Sequence, residues 1–354
     1  MKHLHIMNDD KFIEPYIRLI EEYFNFREHK FIILSKNSNN YYDKKENIFQ
    51  YRSKKDFFKL MKDIYSAENI FLHSLLRKVI IVFFFNPWFL RKAKWILWGG
   101  ELYSYKKYVK KTKLKSRIYE YMRSYVIKNV EGIITYIKGD FDLAKTWYNT
   151  DAVFYECIIY LSNIPSYNIS KTNLNINNNY SKEHIFIQVG NSADPSNNHV
   201  EILDKIKKNI TQKNKIKIIC PLSYGKEKEA EKVIKYGKKE FGKDFVPLTE
   251  FMDLKTYNKL QSNIDIAIFN HKRQQAMGNI LTLLYLGKKV YIRDDIVTWD
   301  FMQGNKLKVF SFNNLKEDLF KKIDAHIAKE NRKKINSRFN IETFIEEWRN
   351  IFNS

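Results

Sequence analysis

Cysteine is nearly absent. Cys157 and Cys220 are the only two in 354 residues, and neither sits in a CxxC pair or a His/Cys cluster at metal spacing. A disulfide scaffold is excluded, a structural zinc site is not expected, and a reducing compartment is the default. Long hydrophobic runs are also missing. The most apolar stretch, VIIVFFFNPWFL at 79–90, is broken by Asn86 and Pro87 and is far shorter than the roughly 20 apolar residues a spanning helix needs. The opening MKHLHIMNDDKF carries two His, two Asp and two Lys where a signal peptide has its apolar core, which predicts a chain retained in the cytoplasm. Acidic residues are few: Asp+Glu 40 against Lys+Arg 62 leaves a formal charge of +22.

What is present argues for a folded enzyme-sized chain. Hydrophobic residues make up 44% and aromatics 16%, enough to offset the entropy of ordering the chain, and the length suggests about two domains. By sign alone, the positive charge fits nucleic acid, an anionic membrane surface or phosphorylated small molecules. Many lysines simply solvate helix faces. Residues 91–128 are different, because their lysines and arginines are opposed only by Glu101 and Glu120 and alternate with Tyr103, Tyr105, Tyr108, Tyr119, Tyr121 and Tyr125. A basic, aromatic surface of that kind suits an interfacial membrane contact.

Short apolar runs alternate with amphipathic stretches. KHLHIM, KFIILS, NIFLHS, KWILWG and GIITYIK read as buried strands, while EPYIRLIEEYF, KKDFFKLMKDIY and KLKSRIYEYMRSYVIKN read as helices. After the Asn- and Ser-rich segment NIPSYNISKTNLNINNNYSKE comes a second series of strands: HIFIQVG, KIKIICPL, FVPLTEF, DIAIFN and KVYIRD. Helices are predicted near 197–210, 226–241, 253–262 and 274–286. This alternation predicts an α/β architecture with parallel sheets: a Rossmann-like domain at 1–165, a linker at 166–182, a second Rossmann-like domain at 183–312, and C-terminal helices at 313–354 whose Trp348 and Phe352 pack back on the first domain. The two domains are expected to face each other across a cleft.

In open parallel sheets, ligands sit beyond the carboxyl ends of the strands, so the loops there are the ones to question. GNSADPSNNH at 190–199 offers Gly190 for close backbone approach and Asn191 and Ser192 as hydrogen-bonding groups. It lacks GxGxxG and GxxxxGKS/T, and Asp194 and Ser196 are equally good helix caps. In NHKRQQAMGN at 270–279, His271, Arg273, Gln274, Gln275 and Asn279 lie at the predicted opening of a helix. Cations there oppose the macrodipole unless an anion is bound. Ser223 and Tyr224 in PLSYG, and Glu250 in TEFM, are candidates for contacts to a base and a ribose. Asp294 and Asp295 read as turn caps. In the first domain, Glu101 follows WILWGG, where tryptophans make an apolar surround that raises a carboxylate pKa. Asp9 and Asp10 lie at a strand end, where capping the following helix competes with a chemical role. His3 and His5 face one side of the first strand as a core pair.

HLHIMNDDKF, WILWGGELY, VGNSADPSNNH, CPLSYG, EFM and above all DIAIFNHKRQQAMGNILTLLYLGKKVYIR resemble glycosyltransferase family 56, the TDP-N-acetylfucosamine:lipid II N-acetylfucosaminyltransferases, formerly called 4-alpha-L-fucosyltransferases. The resemblance implies a GT-B fold and inverting transfer of a 4-acetamido-4,6-dideoxyhexose from a dTDP-sugar, with no metal or other cofactor. The implied acceptor is a polyprenyl-diphosphate-linked oligosaccharide at the cytoplasmic face of the inner membrane, in surface-polysaccharide synthesis of the enterobacterial common antigen or O-antigen type. It further implies peripheral attachment to an anionic inner-membrane surface and no nucleic-acid partner. The family pattern has Asp where this chain has Glu101, so a carboxylate is kept. On this reading Glu101 is the first choice for the general base and Asp9 the second. Gly190, Asn191, Ser192, Ser223, Tyr224, Glu250, His271, Arg273, Gln274, Gln275 and Asn279 hold the donor nucleotide. Two alternatives remain: the same fold with a different acceptor, or a non-catalytic nucleic-acid-binding α/β protein.

Overall fold

The computed structural model describes residues 1–354 except 35–39, 107–112, 171–182, 212–214 and 316. The chain divides into two compact units, Met1–Leu161 with Glu342–Ser354, and Ser162–Ile341.

The first unit carries seven strands: β1 (His3–Asn8), β2 (His29–Leu34), β3 (Ile48–Gln50), β4 (Asn69–His73), β5 (Ala93–Ile96), β6 (Gly132–Ile134) and β7 (Val153–Tyr155). Their order is β3-β2-β1-β4-β5-β6-β7, and every pairing is parallel. Strand β1 reads HLHIMN and is buried over its first five residues, as a central strand covered on both faces must be. The helix Ile341–Phe352 buries Phe344, Trp348, Ile351 and Phe352, spaced as one helical face, and belongs to this unit.

The second unit has β8 (Ile185–Val189), β9 (Ile216–Pro221), β10 (Phe245–Leu248), β11 (Ile266–Ile268), β12 (Lys289–Ile292) and β13 (Phe310–Ser311). Their order is β10-β9-β8-β11-β12-β13, again all parallel. Both sheets are doubly wound: strand order reverses between β1 and β4 in one and between β8 and β11 in the other.

Three expectations are corrected. The predicted linker starts later than 166, because Pro165–Ser170 is a helix with Pro165, Asn168 and Ile169 buried; residues 171–182 lie outside the described ones. The C-terminal region is not one block, since the helix Ala325–Arg338 belongs to the second unit while the helix Ile341–Phe352 falls with the first. The helix predicted to open at Gln274 begins at Met277, because Ala276 before it is left-handed at φ 61°. That turn leaves Arg273 and Gln274 in the preceding loop. Among the described residues, no helix is long and apolar enough to cross a membrane.

Candidate active site

The switch point of the second sheet collects the loops after β8 and β11. Gly190 follows β8 with φ 67°, and a Cβ there would lie 2.7 Å from both Asn197 Oδ1 and His199 Nε2, so glycine is what lets this loop fold against its own return. Asn197 is the hub. Its Oδ1 accepts from the Asn191 backbone N–H at 2.9 Å and sits 2.9 Å from His271 Nε2, while its Nδ2 donates to Ser192 Oγ at 3.2 Å and the Asp194 carbonyl at 3.0 Å. Asn198 Nδ2 donates to the Asn270 carbonyl at 2.8 Å, and Ser196 Oγ donates to Gln275 Oε1 at 2.7 Å. The loops after β8 and β11 are therefore stitched together by side-chain amides.

The loop after β9 joins them. Ala193 and Gly225 form an isolated bridge, and Asn191 Nδ2 donates to Tyr224 Oη at 2.8 Å. Tyr224 is 46% exposed, and Ser223 is half-buried beside it. Arg273 Nη1 donates to the Gln274 carbonyl at 3.1 Å. For Asp194, burial works to raise the pKa, but hydrogen bonds from Ser196 and the charges of Arg273 and Lys226 prevail and hold it below the usual range. Burial lowers His271 to about 3, with Arg273 contributing, and His199 to about 4, so both imidazoles are neutral at working pH.

Among the described residues, several buried polar atoms here find no hydrogen-bond partner: Asn191 Oδ1, both ring nitrogens of His199, and Asn270 Nδ2. Such groups are costly unless a ligand or water satisfies them. Asn197, Asn198, His199 and Asn270 were not singled out as site residues in the sequence. The signal was the asparagine density of 190–199, which reads equally as an ordinary turn. Two predicted site residues lie apart from this cluster: Asn279 Oδ1 accepts from Gln261 Nε2 at 3.0 Å, and Glu250 is exposed beyond the edge strand β10. Asp294 accepts from Ser311 and Asn313, and Asp295 pairs with Arg293, as expected of turn residues.

In the first unit, Glu101 lies in the short helix Gly100–Tyr103. Its Oε1 accepts from the Trp98 backbone N–H at 2.9 Å and from Trp95 Nε1 at 3.2 Å, and Arg123 Nη1 holds its carbonyl at 2.7 Å. Burial raises its pKa, outweighing the hydrogen bonds that lower it. Asp9 accepts from Tyr42 Oη at 3.1 Å, and Asp10 Oδ1 is buried with no partner among the described residues. The N-cap of the helix Ile13–Tyr23 is Phe12 rather than either aspartate. Both aspartates follow β1 at the switch point. Among the described residues, no group of three or more His, Cys, Asp or Glu is placed to hold a metal ion.

Two doubly wound parallel sheets with polar loops at their switch points give the chain the GT-B fold. The chain is similar over 99% of its length to a glycosyltransferase from Rickettsia africae, 98% of which is covered, at 13% identity and a TM-score of 0.63. It is similar over its whole length to Anabaena HepE in complex with UDP, fully covered, at 11% identity and a TM-score of 0.67. A third similar structure is sucrose-phosphate synthase from Thermosynechococcus elongatus, at 10% identity and a TM-score of 0.66, covering 100% of this chain and 98% of that one. Residues 16–354 match 4-alpha-L-fucosyltransferase glycosyl transferase group 56, and the chain belongs to that family.

Proposed function

We propose that the protein transfers a 4-acetamido-4,6-dideoxyhexose from a dTDP-sugar to a polyprenyl-diphosphate-linked glycan, with inversion and without a metal, at the cytoplasmic face of the inner membrane. The observation that carries the donor assignment is the set of unpartnered buried groups on Asn191, His199 and Asn270, gathered at a switch point with Arg273 and Tyr224. A nucleoside diphosphate, the ligand class of the Anabaena neighbour, supplies both acceptors and donors for such groups. The leaving diphosphate is then stabilised by Arg273 and amide and hydroxyl donors in place of a cation. In the first unit, Glu101 takes the proton of the acceptor hydroxyl as its oxygen bonds to the anomeric carbon and the bond to dTDP breaks. A thermal-shift comparison of dTDP, UDP, GDP and CMP tests the donor: dTDP gives the largest rise in Tm, and a larger rise with GDP or CMP refutes the thymidine assignment.

Arg273→Ala is expected to weaken dTDP binding by about 1 to 3 kcal/mol, the range for a charged hydrogen bond. Titration calorimetry on a variant with unchanged circular dichroism reads it, and wild-type affinity removes Arg273 from the site.

Membrane attachment falls to the first unit. The helices Arg77–Phe85 and Leu114–Asn129 pack together and expose Phe85, Leu114 and Tyr121 at 68, 70 and 65%. Trp88, in the following turn Pro87–Lys92, is 58% exposed. Exposed Lys78, Arg91, Lys115 and Arg117 accompany them. Two of the cluster's cations are not on the surface, because Arg123 is buried against Glu120 and Lys94 against Glu131. Lys107, Tyr108, Lys110 and Lys111 lie outside the described residues. Phe83 and Phe89 are buried, so Phe85 and Trp88 supply the apolar contact of that run. Apolar insertion flanked by cations favours anionic bilayers. Co-sedimentation is expected to show more binding to vesicles with phosphatidylglycerol than to neutral vesicles, and Phe85→Ser with Trp88→Ser to abolish it. Equal binding to both vesicle types returns these residues to an ordinary surface.

A further inference from the structure

Behind the strand ends of the first unit runs a buried file of neutral rings. His5 Nε2 lies 3.0 Å from His29 Nδ1, His5 Nδ1 lies 3.2 Å from His73 Nε2, and His73 Nδ1 lies 2.7 Å from Tyr160 Oη. Trp98 Nε1 donates to the same Tyr160 oxygen at 2.9 Å. The three imidazoles come from adjacent strands β1, β2 and β4. Burial drives His29 and His73 down to about 3 and His5 well below its ordinary value, so none carries a charge at working pH.

Proton counting fixes what such a file can do. Each neutral imidazole carries one N–H and the phenol one O–H, so four protons serve three links and one is left over at an end. Either Tyr160 donates to His73 and all three histidines are Nε2–H, or all three are Nδ1–H, His73 donates to Tyr160, and the phenolic proton is free. With Trp98 Nε1 donating to it in both states, the Tyr160 oxygen keeps one further lone pair in the first state and an unused O–H in the second. A mixed set of tautomers would break a link at a buried position.

Tyr160 stands among the first unit's candidate site residues. The charges of Glu101 and Asp10 both act on its hydroxyl, adding to a burial that raises its pKa well above the ordinary value. Its ring packs on the half-exposed Phe12 and Trp98, with centroids at 5.8 and 5.6 Å. We propose that Tyr160 recognises a sugar hydroxyl of the acceptor and that His73, His5 and His29 act as positioning residues, setting whether Tyr160 donates or accepts. A sugar hydroxyl can play either part, but the file fixes which part it must play, so a break in the file misplaces that hydrogen bond. The proposal rests on the reading that the first unit binds the acceptor.

Nitrogen-15 NMR of the histidine side chains in the ligand-free wild-type protein is expected to report one tautomer type at His5, His29 and His73; two types among the three overturn the file. In transfer assays, Tyr160→Phe is expected to raise the acceptor KM about 5- to 10-fold with the donor KM unchanged, and His5→Phe, which touches no substrate, to shift the acceptor KM in the same direction. An unchanged acceptor KM in a folded Tyr160→Phe overturns the recognition role. If wild-type protein transfers no sugar to a polyprenyl-diphosphate glycan, the proposed function fails instead, and the tautomer measurement still decides whether the file exists.

Discussion

Glu101→Gln is expected to lower kcat by roughly 10² or more while leaving dTDP affinity nearly intact. The glutamine oxygen still accepts from the Trp98 backbone N–H and Trp95 Nε1, the two donors that hold Oε1 now, so the short helix Gly100–Tyr103 keeps its anchor and only basicity is lost. Burial beside Trp95, which is fully enclosed, lifts the Glu101 pKa toward the value a general base needs. The base must be ionised, so kcat falls as pH drops through that raised pKa, and the acid limb of the profile lies above that of an ordinary carboxylate. The same shift has a stability consequence. The folded form holds this proton more tightly than the unfolded chain does, so Glu101 favours folding at low pH and disfavours it once pH exceeds the folded pKa. Steady-state kinetics of Glu101→Gln and Asp9→Asn, each with a pH profile, decide between the two carboxylates. Near-normal turnover in Glu101→Gln together with loss in Asp9→Asn exchanges their roles.

Ten strands were legible because most carry runs of three or four apolar residues bounded by polar ones. Those the sequence did not reveal, β3, β7 and β13, have three, three and two residues at sheet edges, too short for any period to register. The site was readable as loops rather than as contacts. Gly190, Asn191 and Tyr224 were found from their place after strands, but the role of Asn197 depends on Asn191, Ser192, Asp194 and His271 converging on it, and no spacing encodes that convergence. His29 and His73 were invisible for the same reason: β1 and β4 are 66 residues apart at their first positions yet pair in register His3 to Asn69, and only that pairing sets His5 near His73. The helix start at Met277 was missed because a left-handed Ala276 is a rare conformation for that residue type and has no sequence signature.

Trp348→Ala is expected to destabilise the first unit by about 3 to 5 kcal/mol, the range for truncating a large buried aromatic. Trp348 is fully enclosed, packs edge-on to Tyr16 at 5.2 Å and lies 5.2 Å from Phe352. Its Nε1 donates to the Ile158 carbonyl at 3.1 Å, and Glu347 Oε2 accepts from the Ile158 N–H at 2.7 Å. One helical turn thus bonds both backbone groups of Ile158, two residues before Tyr160, and the substitution removes ring volume and leaves that carbonyl only the weak Cys157 thiol donor at 3.3 Å. Trp348→Phe keeps most of the ring and loses only the N–H, which costs about 1 kcal/mol for the bond plus a small cavity. Urea denaturation followed by near-ultraviolet circular dichroism separates the two. Because Ile158 and Tyr160 share one segment, the acceptor KM of the folded fraction of Trp348→Phe rises while its donor KM holds. A Trp348→Ala variant as stable as wild type means that the helix Ile341–Phe352 does not hold the first unit's core.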